Sequence, residues 1–310
     1  MSKQSVSGAD SRLARVDPLL LALAGAACTS LSGVLVKASG ANAGTAAFLR
    51  CALALTLLVP MSVAELRRIG WRPRRLVLID TAAGLLLGVD YVLWTASIGE
   101  VGAGIATVLL NAQLVVFPVL ARMFTGTPIR RSFLMAAPVM LAGVALSAGI
   151  TGPSTAEGDP FLGLAYGCAA GAAYAGYLFL SRLGGGSGHT ATPVCVATLA
   201  GALSAGALGA WWSGIDLASL DPRAWGWLAL LALTGQVLTW ILVGAALPRL
   251  APSSAAAVLV LPPVLAVGAG ALLLGERATP VQLAGCALVL LAVWASERAA
   301  RAATHTARRT

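Results

Sequence analysis

The sequence predicts an all-α integral membrane protein of ten transmembrane helices, folded as two inverted five-helix repeats. Three observations carry that expectation. Of its 310 residues, 58% are hydrophobic and only 11% charged, whereas a soluble domain carries about a quarter charged residues. Ten apolar stretches of 19–23 residues follow one another, each long enough to cross a bilayer as a helix. A shift of 150 residues lays one half of the chain over the other. The alternating ten-residue segments of a closed barrel are absent, so helices must satisfy the backbone within lipid.

Residues 1–17 read as a cytoplasmic tail, 18–150 as the first repeat, 160–297 as the second and 298–310 as a second cytoplasmic tail. The first span, 18–36, opens on LLLALAGAAC, which imitates a secretory leader ending at Cys28. Its apolar run continues to Val36 and nine spans follow, so it reads as a retained helix. The second, 43–64, places Arg50 inside the hydrocarbon. The third, 76–98, holds Asp80 near its start and Asp90 within GLLLGVDYVLWTAS. The fourth, 103–124, carries Thr107, Asn111 and Gln113, then Pro118. The fifth is 132–150, and the sixth, 160–181, sets Gly163, Gly167 and Gly171 four apart, as Gly84 and Gly88 are in the third. That spacing lets helix backbones approach closely where lipid offers no hydrophobic drive for association.

Spans seven (191–212) and eight (225–247) put Trp211, Trp212, Trp225 and Trp227 at their outer ends, as interfacial anchors. The ninth, 252–274, contains Pro262-Pro263, and the tenth, 279–297, begins on the cap and first-turn proline Thr279-Pro280. Pro118 and Pro262-Pro263 lie in the fourth and ninth spans, which are repeat-equivalent, and are expected to interrupt their helices as hinges.

The net charge of +9 would suit nucleic acid, but its placement speaks for topology. With the N-terminus in the cytoplasm, 17 Lys and Arg fall on cytoplasmic segments and three outside, Lys37, Arg223 and Arg277. The positive-inside rule then places both termini in the cytoplasm. Five cysteines, all within spans and without CxxC spacing, imply neither disulfides nor a metal site. His189 and His305 read as solvated. GGGSG (184–188) lacks the preceding strand of a phosphate loop and reads as a connector. No cofactor, metal or nucleic-acid partner is expected; a solute and membrane lipid are, and a monomer suffices.

The repeat rests on several alignments. GIATVLLNAQLVVFPVLARMFTGTP (104–128) lies over SAAAVLVLPPVLAVGAGALLLGERA (254–278), and FLMAAPVMLAG (133–143) over LAGCALVLLAV (283–293). Because five is odd, the second half enters the membrane from the opposite side, the arrangement from which alternating-access carriers are built.

The segment 244–293, with Gly275, Glu276, Arg277, Gln282 and Gly285, resembles the signature half of EamA-type carriers of the drug/metabolite transporter superfamily. Two departures stand out. The first copy offers TGTP (125–128) in place of the Gly-Glu-Arg triplet, and the ninth span reads Pro262-Pro263 where the family often has Glu-Pro. The resemblance implies an exporter of metabolites in a bacterial inner membrane.

Asp80 can reach headgroup water and the positive end of its helix, so it reads as structural. Asp90 lies roughly 12 Å below the outer end of the third helix, and Arg50 roughly 9 Å deep on the second. A lone charge at such depth costs about 3 kcal/mol on insertion scales. Asp90 is therefore expected to face a polar cavity and either to pair with Arg50 or to share a site with it. The pair reads as a structural salt bridge, as the holder of a zwitterion's two charges, or, through Asp90, as a proton-coupling site. Trp94 and Ser97 share the Asp90 face. Gln236 and Trp240 repeat that spacing in the eighth helix, with Asn111 and Gln113 in the fourth and Tyr174 in the sixth. The expected site is Asp90, Arg50, Trp94, Asn111, Gln113, Tyr174, Gln236 and Trp240. The family resemblance and this set together imply a secondary active or facilitative exporter of small amphipathic metabolites, such as amino acids, working by alternating access. Export of cationic drugs is the rival, favoured by an unpaired Asp90. A membrane-embedded lipid-handling enzyme is the rival from another class.

Overall fold

The computed structural model describes residues 16–126, 131–147, 158–184, 188–246 and 252–307. The N-terminal tail through Arg15, Thr127-Pro128, Arg130, the centre of GGGSG and Arg249 lie outside the described residues. Among those described there are ten helical segments and no strand. They are α1 (Pro18–Ser39), α2 (Ala43–Ile69), α3 (Arg74–Val101), α4 (Ala103–Leu109, a 3-10 turn Leu110–Ala112, then Gln113–Thr125) and α5 (Arg131–Ser147). The second half holds α6 (Pro160–Leu183), α7 (Ala191–Trp212), α8 (Pro222–Leu231, a π segment Ala232–Leu238, then Thr239–Ala246), α9 (Pro252–Leu274) and α10 (Pro280–Ala307). Seven segments, α1 to α4 and α6 to α8, are long and apolar enough to cross a bilayer; α5, α9 and α10 carry shorter apolar runs.

Local chemistry starts these helices. Asp17-Pro18, Asp159-Pro160 and Asp221-Pro222 each put a carboxylate at the cap and a proline in the first turn, and each carboxylate accepts backbone N–H groups of that turn. Asn42 does the same for α2, accepting from the Thr45 N–H at 2.8 Å. In α10 the helix runs on to Ala307, beyond the expected end at 297 and into what the sequence presented as a tail. The stretch ASERAARAATHTA is rich in strong helix formers, so the helix outlasts its apolar segment.

Packing relates the halves. Exchange α1 with α6, α2 with α7, and so on through α5 with α10. The contact of α3 on α6 then becomes that of α8 on α1, and α1 on α9 becomes α6 on α4. The pairs α2–α7 and α5–α10 map onto themselves. Both self-mapping seams are crossings of glycine on glycine. A Cβ on Gly44 would lie 2.5 Å from the Gly209 Cα, and one on Gly285 would lie 2.7 Å from the Gly143 carbonyl oxygen. The expected glycine faces are also in contact. Gly84 and Gly88 face Ala197 and Gly201 of α7, while Gly163, Gly167 and Gly171 receive the end of α3 and the start of α4.

The α2–α7 seam is clamped at both ends. Glu65, near the end of α2, accepts the Thr190, Ala191 and Thr192 N–H groups at 2.6, 3.0 and 2.7 Å, capping α7 from the other half. At the opposite end the Ser213 hydroxyl accepts the Gly44 N–H at 2.9 Å, and Asn42 donates to the Ser213 carbonyl at 3.1 Å. Asp80 pairs with Arg72 in a bidentate, buried ion pair, and Arg72 also donates to the Gly184 carbonyl at 2.7 Å.

Candidate functional site

Between α1–α4 of the first half and α6, α8 and α9 of the second lies a cavity of about 190 Å³. That is room for several waters or one small solute. Of the expected residues, Arg50, Asp90, Trp94, Asn111, Gln113, Tyr174 and Trp240 line it, with Pro262 and Pro263. Gln236 and Pro118 do not. Gln236 lies one layer back, fully buried, accepting from the Tyr91 hydroxyl at 2.6 Å and donating to Thr198 at 3.0 Å.

The prolines do not interrupt their helices as expected. Pro118 sits inside Gln113–Thr125 and Pro262-Pro263 inside α9. A proline withdraws one N–H and crowds the carbonyl four residues before it, which can bend a helix without ending it. The irregular backbone falls elsewhere, at the 3-10 turn 110–112 and the π segment 232–238. Both border the cavity, through Leu110, Asn111 and Gly235, as irregular backbone at membrane depth should.

Arg50 and Asp90 share the cavity without forming an ion pair; among the described residues the ion pairs are Lys37–Glu276 and Arg72–Asp80. Arg50 is held otherwise. Its guanidinium lies 3.9 Å from the Tyr91 ring centre and 5.8 Å from that of Trp94, and donates to the Gly235 carbonyl at 2.9 Å. A π segment bonds with a different offset and leaves room for such an outside donor. Ring faces and a carbonyl stabilise the cation. Asp90 is therefore left available, 2% exposed.

Five buried side-chain polar atoms among the described residues lack any partner: Ser32 Oγ, Arg50 Nε, Asp90 Oδ1, Trp94 Nε1 and Gln113 Oε1. All five belong to residues that line this cavity. Two are donors, two acceptors, and the hydroxyl is either. Burying such groups unpaired costs about 1–3 kcal/mol each, so the cavity is built for a polar occupant. Tyr174 and Trp240 give the cavity an aromatic lining. Tyr174 stacks on Tyr177 with ring centres 5.8 Å apart, and Tyr177 meets Trp240 edge-on at 5.5 Å.

Sequence reasoning missed Tyr91, Thr29, Ser32 and Thr239. Thr29 and Thr239 meet at 3.2 Å, tying α1 to α8. A signal was there: Ala22, Ala26, Thr29 and Ser32 are small or hydroxylated at three- and four-residue spacing, one helical face. Other polar side chains go elsewhere. Tyr166 packs on Trp212, and Ser97 donates to the Gly163 carbonyl at 2.9 Å.

A second cavity, of about 460 Å³, lies beside Lys37, Gly102, Glu276 and Gln282. Here Glu276 of the Gly-Glu-Arg triplet accepts the Ala103 N–H at 2.8 Å, the Gly104 N–H at 3.2 Å and the Lys37 ammonium at 3.0 Å. A second-half carboxylate thus caps α4 of the first half.

The model of the EamA-like transporter family matches this chain twice, over residues 18–149 and 161–296. No curated protein matches it significantly. A protein solved by crystallography superposes with a TM-score of 0.63, over 90% of this chain and 97% of its own, at 13% identity. At that identity the likeness speaks for the fold alone.

Proposed function

The chain belongs to the EamA-like transporter family, multi-pass membrane transporters of the drug/metabolite type, and on that premise we propose that it is a secondary carrier exporting a small zwitterionic metabolite such as an amino acid. The observation that carries this reading is the set of five unpartnered polar atoms, all on residues lining one cavity between the halves. Arg50 Nε and Trp94 Nε1 offer donors to a carboxylate; Asp90 Oδ1 and Gln113 Oε1 offer acceptors to an ammonium. The aromatic wall of Tyr174 and Trp240 takes the apolar remainder.

Ten spans in two inverted repeats, with both termini in the cytoplasm of a bacterial inner membrane, give the topology, supported by the 17-to-three split of basic residues. Transport follows as alternation of the two halves around a central site. In this reading Glu276 joins the halves on the outer side, and the lining residues Ala22, Ala26 and Val243 lead from the cavity toward the cytoplasm.

One observation favours a second reading, an organic cation as cargo: Asp90 stands without an ion-pair partner. Reconstitution in liposomes separates the two. Uptake of amino acids and of organic cations is measured with and without a pH gradient, for the wild type and Asp90→Asn. Zwitterion export requires amino-acid flux that falls in both Asp90→Asn and Arg50→Gln. Flux of cations alone, sensitive only to Asp90→Asn, replaces this proposal with the second reading. Lost pH dependence with substrate binding kept makes Asp90 the proton-coupling group.

A further inference from the structure

Transport leaves the turn between α2 and α3 without a role. Arg67 and Arg68 end α2, Arg74 and Arg75 begin α3, and all four are exposed. Arg182, exposed at the end of α6, lies two residues from the Gly184 carbonyl that Arg72 holds. None of these five arginines takes part in either ion pair found among the described residues. Neither of the nearby acids forms an ion pair with them. Asp80 is engaged by Arg72, and Glu65 by the N-terminus of α7.

The turn itself is fixed. Arg72 binds both Asp80 oxygens, the Gly70 N–H donates to the Leu66 carbonyl at 2.9 Å, and His189 contacts the Gly70 carbonyl at 3.0 Å. On this fixed turn Trp71 is 89% exposed, with Ile69 at 53% and Leu78 at 70% beside it. A tryptophan held rigidly outside the protein among apolar neighbours and unneutralised arginines has its counterpart in a bilayer's headgroup layer. There, tryptophan anchors at the interface and guanidinium groups take phosphate oxygens two at a time.

We infer that the α2–α3 turn, with Arg182, is a binding surface for the headgroups of anionic phospholipids. Charge complementarity selects the occupant: four or more adjacent Lys or Arg beside a spanning helix attract anionic lipid. The apolar trio of Ile69, Trp71 and Leu78 favours a bilayer over an acidic soluble partner. This inference rests on the membrane assignment and not on the cargo.

The test is native mass spectrometry of the detergent-purified protein titrated with cardiolipin, phosphatidylglycerol or phosphatidylcholine. The wild type retains cardiolipin and phosphatidylglycerol in preference to phosphatidylcholine. The R67Q/R68Q/R74Q/R75Q variant loses that retention by roughly tenfold or more, while R122Q/R223Q, which removes arginines elsewhere, keeps it. Should the quadruple variant fail to fold, R67Q/R68Q and R74Q/R75Q are measured separately, each with an intermediate loss. Trp71→Phe lowers the quenching of protein fluorescence by brominated phosphatidylglycerol in vesicles below the wild-type level, the other lipid-facing tryptophans supplying what remains. Equal retention of phosphatidylcholine, or retention by the arginine variants at the wild-type level, overturns the inference.

Discussion

Replacing Glu276 with alanine should open the outer mouth without unfolding the protein. The carboxylate accepts two N–H groups at the start of α4 and one ammonium. Removing a helix cap costs about 0.5–2 kcal/mol. The ion pair, with side chains 45% and 18% exposed, adds up to about 1 kcal/mol. The sum is about 2 kcal/mol, roughly a thirtyfold shift in an equilibrium constant. Because these contacts join first-half and second-half elements at one end, that shift should favour the state open outside. The assay places one cysteine at Thr107, on the cavity wall, in a protein lacking its five native cysteines, and measures labelling by an impermeant maleimide from outside. Labelling should accelerate by roughly ten- to thirtyfold in Glu276→Ala and by less in Glu276→Gln, whose amide oxygen still accepts an N–H. Unchanged labelling with a lower melting temperature would refute the reasoning: the cap would then serve every state alike.

Other consequences are simpler to measure. Gly209→Ala drives a methyl into the Gly44 backbone and should destabilise by about 1–3 kcal/mol in denaturant melts. Asp80→Asn strands the buried Arg72 and should cost about 3–5 kcal/mol, most of it recovered when Arg72→Met is added. Gln236→Leu should cost about 1–3 kcal/mol by leaving the Tyr91 hydroxyl without its acceptor, and should weaken cargo binding by loosening the ring beneath Arg50. In the α7–α8 loop, the Ser219 hydroxyl and the Ser219 and Ala218 N–H groups hold the Asp216 carboxyl below its usual range. A depressed folded-state value stabilises above the ordinary carboxylate pKa of about 3.9 and is lost as pH falls through the lowered one. Melting of the wild type should thus decline below about pH 4 more steeply than that of Asp216→Asn.

The seven segments α1 to α4 and α6 to α8 were legible because lipid leaves the backbone no alternative, so hydropathy located them; α10 outran its apolar run because its end is rich in strong helix formers. The convergence of Arg50, Asp90 and Trp94 was legible for a related reason: charge at depth needs polar company. Arg50's actual company was not. Its partners, the Tyr91 ring and the Gly235 carbonyl, depend on a π segment whose sequence, ALTGQVL, reads as ordinary apolar helix. Glu276 was legible as part of a motif, but its role depends on residues more than 170 positions away. Pro118 misled because proline marks where a bond is missing, while the backbone yielded several residues upstream.

The two self-paired seams carry an implication for how such a molecule can be altered. Any motion that interchanges the conformations of the halves leaves α2 against α7 and α5 against α10 with unchanged neighbours. In the proposed transport cycle these seams would act as the axle, and the remaining contacts as the parts that turn. Residues along the axle should answer to selection for assembly, and residues on the turning surfaces to selection for speed, so a single screen scored for both abundance and flux would sort the chain into those two sets.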